Sequence, residues 1–380
     1  MVKKNRALAI QKAVMYTLFF LTFGIMMCIG TTRDLEISKL MFNYQNTFAR
    51  FMESYSMLPV SSIQLLAFSL LFTAYHKVDD ALDIAQSFLP FISRIRDINV
   101  IRKIVFIIHH IIYALFLYGA FQGSNEFLNF IFSASGRGNL QDILVDKGAP
   151  KVIAIIVWTV ARVALLALVL ILMRKIDKKH LKAFEFMAIA GLFLYHASDV
   201  INLLKGHFHR VRFREMVAYS HALIDQNGVT SRGDADMPKE WVKTSFFTAY
   251  TPWYKPGNDY GVYSNSDSFP SGHTAAAAFS MLLPMLASKA KKATKLFVPA
   301  FLLGFGYTLA TGFSRIIIGA HYLTDISADA IIMFAMLIVI MGIMNAFERH
   351  SDKKLRIIAR KRIREEEKAK LLSDSKEEKR

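Results

Sequence analysis

The sequence predicts an all-α fold: a polytopic membrane helix bundle of about eight transmembrane helices. Three observations carry that expectation. Hydrophobic residues make up 53 % of the 380 residues. They are gathered in runs long enough, or nearly so, to cross a hydrocarbon core of about 30 Å. The basic residues behind the net charge of +17 fall between those runs and at the two ends, a pattern of cytoplasmic loops facing anionic lipid rather than of nucleic-acid binding. Cys28 is the only cysteine, so the chain can form neither an internal disulfide framework nor a cysteine-based metal site.

In order, the runs are 13–31, 59–75, 102–122, 152–173, 183–204, 271–288, 296–314 and 322–346. The first follows Lys3, Lys4, Arg6 and Lys12. It is long for a signal-peptide core and no small-residue cleavage site follows it, so it reads as a retained span, a cleaved signal being the alternative. From Ile37 to Met57 the apolar residues are scattered, as in an amphipathic helix lying along the interface. The second run is short and follows Pro59. Arg162 lies in the middle of the fourth, where charge is costly and normally paired; Asp199 and Glu185 of the fifth are candidate partners in a structural ion pair, a substrate role being the alternative. His109, His110 and His196 are expected to be packing or interfacial residues. These runs suggest an N-terminal membrane part over 1–150, a core over 151–346 and a charged tail over 347–380.

Orientation follows from loop charge. With the N-terminus inside, the inside segments hold Arg174, Lys175, Lys178 and Lys179, then Lys289, Lys291, Lys292 and Lys295. The segments 32–58 and 123–151 are poor in Lys and Arg, and eight spans return the basic tail to the cytoplasm, as the positive-inside rule asks. The loop 205–270 breaks the pattern with Lys205, Arg210, Arg212 and Arg214. Binding an anion is the simplest local reason for a basic cluster on that side. In this topology Lys205–Arg214, Ser271–His273 and Arg315–His321 share one face.

Three constellations carry chemistry. In Ser314-Arg315-…-His321-…-Asp325, His321 and Asp325 are four residues apart, on one face of a first helical turn. The carboxylate can then hold one ring nitrogen and leave the other free to attack or carry a proton. Arg315 sits across a short turn that Gly319 makes easy, and a fixed cation there suits a phosphate-like anion. In Phe269-Pro270-Ser271-Gly272-His273, the backbone N–H groups of Ser271, Gly272 and His273 lie at a helix start and form an anion site; His273 can give a proton to a leaving oxygen. Lys205-Gly-His-Phe-His-Arg-Val-Arg212 packs cations at a helix end. Lys205 and Arg212 read equally as lipid-head-group anchors, Ser314 as a helix cap and Asp325 as a helix-start residue. His207 and His209 form an H-x-H pair, but the cations around them would repel a metal ion.

Taken together, Lys205 with Arg212, then Pro270-Ser271-Gly272-His273, then Ser314-Arg315 with His321 and Asp325 resemble the three-part signature of the type 2 phosphatidic acid phosphatase family. These are membrane relatives of bacterial acid phosphatases and vanadium haloperoxidases. The resemblance covers about residues 183–346. Where the family usually has proline after the first-motif arginine, this chain has Phe213, and Asp329 stands where a small residue is commoner.

The resemblance implies a six-helix phosphatase-type core and a metal-independent, cofactor-free hydrolase. His321 is then the nucleophile that forms phosphohistidine, Asp325 its orienting partner, and His273 the acid and later the base. Lys205, Arg212 and Arg315 grip the phosphate, with Ser271, Gly272 and Ser314. The expected substrate is a lipid phosphomonoester or pyrophosphate, such as phosphatidic acid, phosphatidylglycerol phosphate or polyprenyl diphosphate. The expected setting is the cell membrane, with the site extracytoplasmic, both termini cytoplasmic and membrane lipids as partners. A phosphotransferase with the same nucleophile and a non-enzymatic lipid-phosphate carrier are the alternatives. The loop from Glu215 to Ser268 ends in an aromatic stretch with Trp253, Tyr254 and Tyr260, expected to form a lid at the membrane interface.

Overall fold

Helices account for the regular structure throughout, and no strand occurs among the described residues. The structure, a computed structural model, describes residues 2–74, 99–134, 140–176, 178–225, 239–255, 267–290 and 292–349. The charged tail beyond 349, most of the inside segment 76–101 and Tyr260 lie outside them.

Seven described helices are long and apolar enough to cross a membrane. α1 (Val2–Met41) contains the first expected span and overshoots it. At 40 residues it is roughly 60 Å long, twice the hydrocarbon thickness. The expected interfacial segment is therefore divided: its first residues finish α1 and the rest form α2 (Thr47–Tyr55). α2 is amphipathic, with Ala49 and Met52 buried and Phe48 and Phe51 exposed, and Asn46 caps it through the Ala49 N–H. α3 (Leu58–Ala74), α4 (Asn99–Ala134), α5 (Leu140–Asp146) and α6 (Lys151–Arg174) follow. The fifth expected span is α7 (Lys178–Ala197) plus α8 (Asp199–Phe208), which meet at Ser198. α9 (Phe213–Asp225) precedes the long loop.

The sixth expected span is interrupted. It forms α10 (Gly272–Ala278), a 3-10 turn at Phe279–Met281 and α11 (Leu282–Lys289). Pro284 is the cause: it has no N–H for the carbonyl of Ser280, and its ring crowds that carbonyl. The break is tolerated because the segment is enclosed by protein, with residues 274–279 all buried. α12 (Ala293–Ile317) and α13 (Leu323–Arg349) complete the chain.

α1, α7, α10–α11, α12 and α13 share one core, with Val60 and Ile63 of α3 packed against it. α4 and α6 pack outside this six-helix group, against α3. Thus α1 and α3 join the core across the boundary expected near residue 150, while α6 stays outside. The core centres on Phe19, Phe301 and Phe334, with Phe19 and Phe334 centroids 4.2 Å apart. Lipid tails are as apolar as these rings, so close packing rather than hydrophobic transfer holds the helices together, at about 0.5–1.5 kcal/mol per aromatic pair.

Arg162 does not pair with Asp199 or Glu185. Its Nη2 donates to the Phe121 carbonyl and the Gln122 amide oxygen of α4, each at 3.3 Å, and its guanidinium lies 3.8 Å from the Phe121 ring centroid. α6 packs on α4 rather than on α7, so α4 supplies the partners.

Candidate active site

The three motif stretches meet at one end of the bundle, where α1, α8 and α12 finish and α10 and α13 begin. His209 ends α8 with φ +40°. This left-handed turn releases the chain from the helix and sends Arg210 inward. The α12–α13 connection folds back on one carbonyl: the N–H groups of Ala320 and His321 both donate to Arg315 O, at 2.9 and 3.2 Å. Gly319 has φ +66° there, and a Cβ at that position would stand 2.7 Å from the Phe42 ring. Backbone bonds then join the stretches: Arg214 N to Gly319 O at 2.8 Å, Ser268 N to Arg210 O at 2.8 Å and Ser271 N to Asp325 O at 3.4 Å.

A cavity of about 390 Å³ opens at this junction, and Lys205, Arg212, Gly272, His273, Arg315 and His321 all line it. Six of the nine expected site residues therefore converge on one space. Ser271 and Ser314 do not line it. Ser271 is buried as the cap of α10, its Oγ accepting from the Thr274 N–H and hydroxyl, and its own N–H is taken by Asp325. Ser314 donates its hydroxyl back to the Thr311 carbonyl at 2.6 Å. Both serines have local hydrogen bonds that turn them away from the cavity.

Asp325 lies behind His321 rather than in the cavity wall. The expected contact between its carboxylate and the ring is long, 3.6 Å from Oδ2 to Nδ1, beyond hydrogen-bond range. The Ser268 carbonyl takes that place, 2.6 Å from Nδ1. A carbonyl only accepts, so Nδ1 carries the hydrogen and Nε2 keeps its lone pair. Asp325 is occupied elsewhere: Oδ1 accepts from Arg210 at 2.5 Å, and Oδ2 from the Tyr322 N–H at 2.8 Å and the Ser268 hydroxyl. The carboxylate holds the residue that holds the imidazole. Burial pulls the His321 pKa down to about 3, so the ring is neutral near pH 7 and nucleophilic at Nε2.

Arg315 is 3 % exposed and its Nη1 lies 3.2 Å from Glu53 Oε1. Its Nε has no hydrogen-bond partner among the described residues. Lys205 donates to the Asp267 carbonyl at 2.8 Å, and its side chain passes 3.7 Å from where a Gly272 Cβ would be, an ordinary van der Waals contact. The backbone carbonyl of Glu53 faces the His273 imidazole. No cluster of metal-ligating residues occurs among the described residues, and His209 instead lies 3.3 Å from Asp267.

Sequence reasoning placed Arg210 only in a basic cluster suited to an anion, and it missed Asp34 and Glu53. Arg210 is 1 % exposed and bridges two buried carboxylates, Asp325 and, at 2.9 Å, Asp34 of α1. Its guanidinium lies 3.9 Å from the Tyr322 ring centroid. Asp34 also accepts from the Thr324 N–H at 3.0 Å, which caps the start of α13. Glu53 of α2 and the neighbouring Tyr44, Arg50, Met57 and Arg214 form the rest of the cavity wall. The one available signal was a lone acid, Asp34, near the end of an apolar run.

Of the expected lid, residues 226–238 and 256–266 fall outside the described residues, and the described part between them lies away from the cavity. None of residues 239–255 lines the cavity. Trp241, Phe247 and Tyr250 instead pack behind the site against Phe213 and Tyr322, and Trp253 donates to Thr31 Oγ1 at 3.1 Å. Phe213 opens α9, at the helix position where proline is also tolerated. There it is fully buried and stacks on Phe247.

Residues 221–349 match the family model described as the PAP2 superfamily, a match that spans the second and third motifs and lies downstream of Lys205 and Arg212. No curated protein and no solved structure gives a match. The superfamily suggests a phosphatase-type function, and the apolar helices suggest a membrane protein. This partial match is consistent with a member of the type 2 phosphatidic acid phosphatase family.

Proposed function

We propose that the protein is an integral membrane phosphatase that hydrolyses a lipid phosphomonoester or pyrophosphate at the extracytoplasmic face, through a phosphohistidine on His321. The observation that carries this reading is the convergence of Lys205, Arg212, Gly272, His273, Arg315 and His321, from three distant stretches, on one cavity. His321 Nε2 attacks phosphorus while Lys205, Arg212 and Arg315 stabilise the equatorial oxygens. His273, given a proton that the negative charge of a bound phosphate favours, protonates the leaving oxygen and then takes a proton from the water that releases inorganic phosphate. Asp325, fixed by Arg210, stabilises the positive charge that His321 gains on phosphorylation. Exposed Phe48 and Phe51 on α2, next to the cavity wall, favour a lipid over a soluble ester.

The test is phosphate release in detergent, with EDTA present, from a panel of lipid phosphates. Wild type should release inorganic phosphate, and His321→Ala should fall by about 10³-fold or more. A new phosphoester in place of inorganic phosphate would identify a transferase. Undiminished native function in His321→Ala would favour a carrier.

A further inference from the structure

The cavity holds more positive charge than one phosphate needs. Among the described residues, five cationic side chains, Arg50, Lys205, Arg212, Arg214 and Arg315, line it together with a single carboxylate, Glu53. Lys205, Arg212 and Arg315 suffice for the three equatorial oxygens of a phosphoryl group. Arg50 and Arg214 are surplus to that task, yet they share the same wall.

The surplus pair is joined to the phosphoryl pocket through Glu53. Its Oε1 lies 3.0 Å from Arg214 Nη1 and 3.2 Å from Arg315 Nη1, and its Oε2 lies 2.7 Å from Arg50 Nη1. One oxygen of this carboxylate therefore meets Arg315 and Arg214 together and the other meets Arg50, so Arg214 links the phosphoryl pocket to Arg50. Glu53 also offsets the repulsion among three guanidiniums that would otherwise stand together unpaired. The direction of the wall is informative too. Arg214 is largely buried, whereas Arg50 is 43 % exposed and stacks 4.8 Å from the Tyr44 ring centroid. Arg50 lies on α2, whose Phe48 and Phe51 are exposed. The order from the interior outward is His321, Arg315, Arg214, Arg50 and then apolar surface.

We propose that Arg50 and Arg214, gathered around Glu53, form a second anion subsite between the phosphoryl pocket and the lipid-facing rim, and that the preferred substrate is a lipid diphosphate. This rests on the phosphatase reading above. The terminal phosphate lies against Lys205, Arg212 and Arg315, the inner phosphate against Arg214 and Arg50, and the hydrocarbon tail leaves over α2. His321 Nε2 forms a bond to the terminal phosphorus and the anhydride P–O bond breaks. The bridging oxygen and its electron pair depart with the lipid monophosphate, whose added charge falls on Arg214 and Arg50. Water then cleaves the phosphohistidine, giving inorganic phosphate and restoring the imidazole.

Binding and turnover are measured separately on the full chain in detergent. Calorimetry compares methylenediphosphonate, which cannot be hydrolysed, with methylphosphonate. Turnover compares a lipid diphosphate with the monophosphate of the same lipid. Wild type should bind the diphosphonate about tenfold tighter or more, the worth of roughly one charge-assisted hydrogen bond. Arg50→Gln and Arg214→Gln should each shrink that ratio by about five- to tenfold, and the ratio of kcat/KM values likewise, while Arg214→Lys should restore part of it. Equal affinities in wild type, or a ratio that neither glutamine variant changes, would overturn the subsite. A retained diphosphonate preference without turnover of any lipid phosphate would remove the hydrolase and keep the subsite. His321-dependent turnover with equal affinities would do the reverse.

Discussion

Arg210 is the residue whose loss should be felt furthest. It is 1 % exposed, and its partners Asp34 and Asp325 are 1 % and 0 % exposed. Its Nε donates to the Thr251 carbonyl at 2.8 Å and its Nη1 to Thr324 Oγ1 at 2.9 Å. In Arg210→Met the methionine fills most of the volume but leaves two carboxylates buried without their cation. Removing one member of a buried ion pair costs about 3–5 kcal/mol. Here the stranded charges also repel, so one must take up a proton. If that one is Asp325, the proposed phosphohistidine loses its counter-charge, and turnover should fall by about 10²-fold or more. Thermal unfolding in detergent should drop by roughly 10 °C. Adding Asp34→Asn to Arg210→Met removes one stranded charge, so the double variant should be more stable than Arg210→Met alone. An Arg210→Met protein that melts within about 1 °C of wild type, or a double variant whose losses simply add, would refute the view that this arginine neutralises two buried acids.

Other perturbations test other parts of the structure. Gly30→Ala would place a Cβ 2.8 Å from Asp34 Oδ1 and 3.1 Å from the Thr324 N–H; it should cost about 1–3 kcal/mol in thermal unfolding and lower activity by displacing α1 from α13, and a silent variant would contradict this close approach. Arg162→Leu should change stability by less than about 1 kcal/mol, because its two 3.3 Å bonds go to neutral groups and no carboxylate is stranded; loss of folding would point to a partner not identified above. The folded-state pKa of His321, pulled down to about 3 from 6.5, fixes the sign of a pH effect. The unfolded chain binds the extra proton between those values, so this contribution is fully present above about pH 6.5 and is lost as pH falls toward 3. His321→Asn should flatten the acid limb of a plot of denaturation midpoint against pH, and an unchanged limb would contradict a neutral buried imidazole.

Much of this was legible in the chain. The apolar runs gave seven of eight spans, because a helix in lipid must bury a continuous stretch of side chains whatever its neighbours do. Pro284 broke the remaining one, the sixth, and a proline's effect on a buried helix depends on what encloses it. Six of nine expected site residues line the cavity because the motifs have fixed local geometry: Gly319 takes positive φ, and α10 begins after Ser271. Ser271 and Ser314 were misplaced because local hydrogen bonds that sequence cannot rank turned their side chains away.

What the sequence determined by itself was the kind of chemistry: cations, two histidines and an acid at the ends of apolar helices, with the spacing that puts each on a helix end. What only the tertiary structure decided was which groups support that chemistry. The Ser268 carbonyl displaced Asp325 from the imidazole, Arg210 and Asp34 came to lock Asp325, and Glu53 arrived from α2. These partners are separated by tens to hundreds of residues, as in the 176-residue step from Asp34 to Arg210. No local pattern encodes such pairs, because a buried charge finds its counter-charge through the packing of whole helices.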